Sequence, residues 1–163
     1  MLKADHQEVK ALLKQLTADQ EPADCDALFE KLYTSLKVHT AFEEEEVYPL
    51  LRDREETKDL ALEAYEEHQQ AKTLLEALHG MDDEDETCTA KMNVLSEDLL
   101  HHIKEEEGEL FPKLKKAVDA ATLQKLGESY QQVKDETAAG DGDEDAQQKK
   151  PAAKSHKAAG RSH

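Results

Sequence analysis

Two stretches of this chain carry the same reactive side chains at the same spacing. HTAFEEEEVYPLL, residues 39–51, recurs as HIKEEEGELFPKL, residues 102–114. Each copy has a His, a Glu four residues later, an aromatic ring nine later, a Pro ten later and a Leu twelve later. Upstream of each stands an acidic residue followed by a second His: Asp5-His6 lies 33 residues before His39, and Glu67-His68 lies 34 before His102. The chain therefore reads as two similar halves, each with two imidazoles and one carboxylate. These are His6, His39 and Glu43, then His68, His102 and Glu106. On a helix, a four-residue step puts His and Glu on one face, one turn apart.

An isolated inward His is usually a hydrogen-bonded core residue, and an isolated inward Glu is rare because burying its charge is costly. Four His and two Glu converging on one layer are not explained that way. Without a cation they would compete for too few partners, whereas two divalent or trivalent ions would satisfy them all. A mixed imidazole and carboxylate set without paired thiolates suits iron or manganese and argues against structural zinc. The repeat uses His-x-x-x-Glu, not the Glu-x-x-His step of ferritin-like bundles. An HExxH motif, a Gly-rich phosphate loop and a Ser nucleophile elbow are absent.

Convergence demands elements of the right length. The chain has 163 residues, no Trp, 4% aromatic residues and 36% charged residues, a composition that favours helices over strands. Helical periodicity places Leu2, His6, Val9, Leu13 and Leu16 on one stripe of a first helix over residues 2–17. A second helix spans about 25–52, started by Pro22 and Asp24 and loosened near Pro49. A third follows the turn-like residues 53–58 and runs to His79, with Gly80 as its C-terminal cap. A fourth spans about 89–118, with Met92, Leu95, Leu99, His102, Glu106, Leu110 and Leu114 inward. A short fifth covers 119–134 and packs Leu123, Leu126, Tyr130 and Val133 on the rest.

In an up-down-up-down antiparallel four-helix bundle, residues on neighbouring helices share a height only if the turn lies near their sequence midpoint. The midpoint of His6 and His39 is Pro22-Ala23, that of His39 and His68 is Asp53-Arg54, and that of His68 and His102 is Asp85. All three fall in segments read as loops, so the four imidazoles are expected in one layer. The fold class expected is thus an all-α four-helix bundle over residues 1–134, with a disordered tail over 135–163, acidic then basic.

The order DHQEV, HTAFEEEEVYP, EHQQAKTLL, HIKEEEGELFP closely resembles the hemerythrin-like HHE cation-binding family over about residues 1–133. The resemblance implies a non-haem di-iron centre bridged by carboxylates and by an oxo or hydroxo group, with His6, His39, Glu43, His68, His102 and Glu106 as ligands. Oxygen-carrying hemerythrins have a further His one turn after the third-helix ligand, where this chain has Lys72. Glu46 and Glu109 are candidates for supporting or supplementary ligation, and Tyr48 and Tyr65 are packing residues able to approach the metals. His79, His101, His156 and His163 read as surface residues. Only five residues precede His6, so the expectation is either a chain that starts further upstream or a first turn that frays and weakens that position.

The formal charge of −17 disfavours binding to nucleic-acid backbones and favours cations. No apolar run reaches the roughly 18 residues of a membrane span, and MLKADHQEVK lacks an apolar signal core. Cys25 and Cys88 read as reduced thiols, and a cytoplasmic location is expected. The function expected is binding of, or reaction with, oxygen, peroxide or nitric oxide, linked to iron or oxidative stress. The competing expectation is an iron-binding, storage or sensing module, or a reversible oxygen carrier, without turnover.

Overall fold

In the computed structural model of the chain, which describes residues 1–18, 24–81 and 85–144 (side chains through 138), every regular element is helical. Helix α1 is Leu2–Leu16 and α2 is Cys25–Phe42. A π-helical turn, Glu43–Val47, leads into α3, Tyr48–Arg52. After the turn at 53–57, α4 runs Lys58–His79. The same sequence of elements then recurs: α5, Cys88–Glu105, a second π turn, Glu106–Leu110, and α6, Phe111–Ala117. The last helix, α7, is Ala120–Glu144. No strand occurs among the described residues.

The two π turns are the main departure from the continuous helices expected. Tyr48 and Phe111 donate their N–H to the carbonyls of Glu43 and Glu106, five residues back instead of four. The cause is the proline that follows each. Pro49 and Pro112 lack an N–H, and their rings would collide with the carbonyl four residues earlier in a regular helix. Widening the preceding turn relieves that crowding and lets each Pro enter the first turn of a new helix, where no donor is needed. Gly80 does follow α4, but at φ −91°, so it caps without the left-handed conformation that glycine caps commonly use. Helix α1 does not fray before His6; it begins at Leu2, which packs on the core.

Helix α1 packs along α2, and α4 along α5, with further contacts between α1 and α5 and between α2 and α4. The apolar interior forms two clusters. One contains Val9, Leu13, Leu36, Ala71, Leu75 and Leu99. The other contains Phe42, Val47, Tyr48, Ala64, Leu110 and Tyr130. On α2, His39 falls between Leu36 of the first and Phe42 of the second; on α4, His68 falls between Ala71 and Ala64. A polar layer thus divides the core. With roughly 1.5–3 kcal/mol gained per buried large apolar side chain, the two clusters supply the stability that lets this layer exist.

Helix α7 continues past the expected end at 134 to Glu144, so residues 135–144 are helical where a disordered tail was expected. The rest of that expected tail, 145–163, lies outside the described residues, as do Pro22 and the His156 and His163 positions. The contacts that dock α7 involve Leu123, Leu126, Tyr130 and Lys134. Deleting everything after Thr137 should therefore shift the melting temperature by no more than about 2 °C. A larger loss in a thermal melt would show that the final turns of α7 carry packing of their own.

Candidate metal centre

All six side chains singled out by the repeat meet in the polar layer. His6, His39, His68 and His102 are buried at 1–5% exposure, and Glu43 and Glu106 at 0% and 1%. His6, His39, Glu43 and Glu106 each offer one ligand atom within 4.8 Å of the others, and Glu43, His68 and His102 do the same. The inward atoms are the Nε2 nitrogens. His6 Nε2 lies 3.1 Å from His39 Nε2, and His68 Nε2 lies 2.9 Å from His102 Nε2. Glu43 Oε2 is 3.2 Å from His39 and 3.5 Å from His68; Glu106 Oε2 is 3.2 Å from His6 and 3.5 Å from His102. Each carboxylate therefore stands between a histidine of its own half and one of the other.

The outward Nδ1 atoms explain which way the imidazoles present their lone pairs. His6 Nδ1 is 2.9 Å from Glu107, His68 Nδ1 is 3.0 Å from Glu44 and His102 Nδ1 is 2.6 Å from Glu67. His39 Nδ1 faces the Tyr130 hydroxyl at 3.4 Å and Asp5 at 3.8 Å. A carboxylate only accepts, so it keeps the proton on Nδ1 and leaves Nε2 as an inward acceptor. Two such lone pairs about 3 Å apart repel unless a proton or a cation lies between them. Glu43 Oε1, Glu43 Oε2 and Glu106 Oε2 are also buried without a hydrogen-bond partner. Buried acceptors left unpaired are uncommon in native proteins. Here an inward ring of nitrogen and oxygen donors has the composition and spacing of a cation site, so these residues fit a bound metal.

Protons are distributed unevenly in the metal-free layer. Burial would pull His39 down, but the Glu43 charge and the Asp5 carboxylate outweigh it and push it up to about 10. For His68, burial and the neighbouring His102 win, lowering it to about 4. His102 is raised despite its burial, chiefly through its bond to Glu67. Burial and the Glu43 and Glu106 charges push Tyr48 well above the ordinary phenol range, so it stays a donor.

The supporting residues differ from those expected. Glu46 and Glu109 are exposed; the π turns hold one residue more per turn, so the inner face passes from Glu43 to Val47 and Tyr48 and from Glu106 to Leu110 and Phe111. The supporting carboxylates are instead Glu44 and Glu107, directly after the buried pair, and Asp5 and Glu67, directly before two of the histidines. Lys72 does not turn away to solvent: its Nζ holds both oxygens of Glu44, at 2.6 and 2.7 Å. Lys10 holds one oxygen of Glu107, Oε1, at 3.3 Å. Helix α7 adds Lys134, 2.6 Å from Asp5. The repeat itself held the signal, since HQEVK and HQQAK both place Lys four residues after His. Tyr65 stays a packing residue, bonded to the Glu44 carbonyl. His79 stacks on Tyr33, and Cys25 and Cys88 are thiols.

Tyr48 reaches the layer as well as packing beneath it. Its hydroxyl donates to Glu106 Oε1 at 2.9 Å and stands 3.0 Å from His68 Nε2. Tyr48→Phe removes that donor and leaves both Glu106 oxygens unpaired, so it should destabilise the metal-free protein by about 1–3 kcal/mol. Urea unfolding in chelator checks this, and an unchanged midpoint would show that the hydroxyl is dispensable.

Comparison with known proteins agrees with the geometry. Residues 1–114 match the Hemerythrin HHE cation binding domain, and the chain belongs to that family. It is similar to a solved hemerythrin HHE cation-binding domain-containing protein from Mycobacterium kansasii, with a TM-score of 0.69 and 26% identity over 85% of each chain. A DNA nickase from Nostoc sp. is 23% identical over 134 residues, covering 82% of this chain but 38% of that relative, so this chain spans well under half its length. No helix among the described residues is long and apolar enough to cross a membrane.

Proposed function

We propose that this chain is a cytoplasmic, non-haem di-iron protein, an up-down-up-down four-helix bundle that reacts with a small oxidant: oxygen, peroxide or nitric oxide. The observation that carries the proposal is the set of three unpartnered, buried carboxylate oxygens facing four imidazole nitrogens. His6 and His39 with Glu43 and Glu106 would hold one ion, and His68 and His102 with Glu43 the other. The mixed nitrogen and oxygen donors favour iron, ahead of manganese. Iron held there would supply electrons to a small oxidant.

The protein's own part is to position and to protect. Glu107, Asp5, Glu44 and Glu67 keep the four Nε2 atoms turned inward, and the two apolar clusters exclude water from the layer. Tyr48 holds a proton 2.9 Å from Glu106 Oε1, where it could offset negative charge on that carboxylate. Lys72 favours reaction over reversible carriage. It stands where oxygen carriers place a further imidazole, and its ammonium, bound to Glu44, has no lone pair to offer. The centre is left with fewer protein donors and room for a small molecule. The role that follows is in iron handling or oxidative stress.

The test is a metal count on protein purified without chelators, followed by anaerobic reduction, admission of oxygen and its withdrawal. The reactive reading expects about two irons per chain and an absorption change that persists after oxygen is removed. A long-lived new spectrum that reverts on withdrawal would restore the carrier, and protein without bound metal would end the di-iron reading.

A further inference from the structure

The two halves differ in how the carboxylates behind the imidazoles are paired. Of the four carboxylates that face the Nδ1 atoms, three are paired with a lysine: Glu107 with Lys10, Glu44 with Lys72 and Asp5 with Lys134. The fourth, Glu67, has no lysine partner among the described residues. Asp5, its counterpart in the first half, is buried beneath α7, whereas Glu67 is 24% exposed at the side chain. Beside Glu67 stand His101 and Glu105, one turn apart on α5 with His101 Nε2 3.2 Å from Glu105 Oε1. Ligand atoms of Glu67, His101 and Glu105 all lie within 4.8 Å of one another.

A narrow cleft connects this group to the interior. It is lined by Glu63, Glu67 and Glu105 at the surface and by His102 and Glu106 below, and its volume is about 10 Å³. That is close to the space of a single water or ion. Glu106, 1% exposed, lines its inner end, and the unpartnered Oε2 of this residue faces His6 and His102 of the buried layer. Elsewhere around the layer, lysines pair with the other supporting carboxylates, and Tyr130 stands against His39 from α7.

We propose that Glu67, His101 and Glu105 form a surface site for a divalent transition-metal cation, and that this site passes the ion through the cleft to the His68, His102 and Glu43 side of the buried centre. This rests on the di-metal reading of that centre. The site has the features of an entry: negative charge without a lysine, one imidazole to select a transition metal over calcium or magnesium, and a shared residue, since Glu67 also holds His102 Nδ1. His101 thereby acquires a role in the rate of filling and none in the filled state.

The experiment mixes full-length, metal-free protein anaerobically with cobalt(II) and follows uptake by stopped-flow absorbance, with final content measured separately. The double variant His101→Ala/Glu105→Gln should fill roughly tenfold more slowly, with the same final content and melting temperature as the parent. Glu109→Gln, which removes the same charge from an exposed site, should fill at the parental rate. Equal rates for the double variant and Glu109→Gln would overturn the entry site, as would a fall in the double variant's final content. If the parent takes up no cobalt, the buried centre itself fails, a result seen before any variant is compared.

Discussion

Stripping the protein of its cations should lower its melting temperature by about 10–20 °C. The size follows from linkage: a ligand present at 1,000 times its Kd and bound only by the folded state adds about 4 kcal/mol, and a domain of this size shifts by a few degrees per kcal/mol. The six donors come from α1, α2 and α4, from α5 and from both π turns, so two ions that share Glu43 would together tie those elements to one another. Without it, the layer must hold protons in place of metal.

The metal-free protein should then show its own pH dependence. His39, raised to about 10 in the folded state, contributes stability that is complete below its ordinary 6.5 and is lost as pH climbs toward 10. His68, lowered to about 4, makes its contribution above 6.5 and loses it as pH falls toward 4. The metal-free form should be most stable near neutrality, and adding metal at neutral pH should release protons, chiefly from His39. Melting curves with and without chelator, taken across pH, check both statements. Coincident curves at neutral pH would rule out a shared site.

The six central residues were legible because their evidence is arithmetic. A four-residue step fixes a helix face, and the midpoints between histidines fix heights, so neither inference needs knowledge of packing. Glu44 and Glu107 have no such signature: each lies one residue, about 100°, round from the buried Glu, and which imidazole it meets is decided by the packing of a neighbouring helix. A uniform 3.6-residue period carried past Glu43 and Glu106 brings Glu46 and Glu109 inward, whereas the wider turns before Pro49 and Pro112 leave both exposed. For Tyr48 the sequence allows both packing and an approach to the metals, since periodicity places a ring inside but does not say which way its hydroxyl points. Tyr130 was placed in the core correctly, yet the reach of α7 to Asp5 and His39 is a tertiary contact across more than 90 residues, with no local signature.

His39→Ala and His102→Ala should each lower the affinity of at least one ion by more than about 100-fold, so that purified protein retains about one metal or fewer. His101→Ala should leave the final content near that of the parent. The contrast rests on geometry, because His101 and His102 are neighbours in sequence with the same chemistry. One residue of an α-helix is about 100° of rotation. That rotation takes His101 to a surface where its side chain is 63% exposed and leaves His102 6% exposed, 2.9 Å from His68. Replacing His102 deletes an inward nitrogen and also strips Glu67 of its imidazole partner, so both the centre and its support are damaged. Replacing His101 touches neither. Metal analysis of the three variants after purification at equal iron supply decides the matter. Equal losses for His101→Ala and His102→Ala would mean that α5 presents a different face to the core, and the arrangement of the whole layer would have to be redrawn.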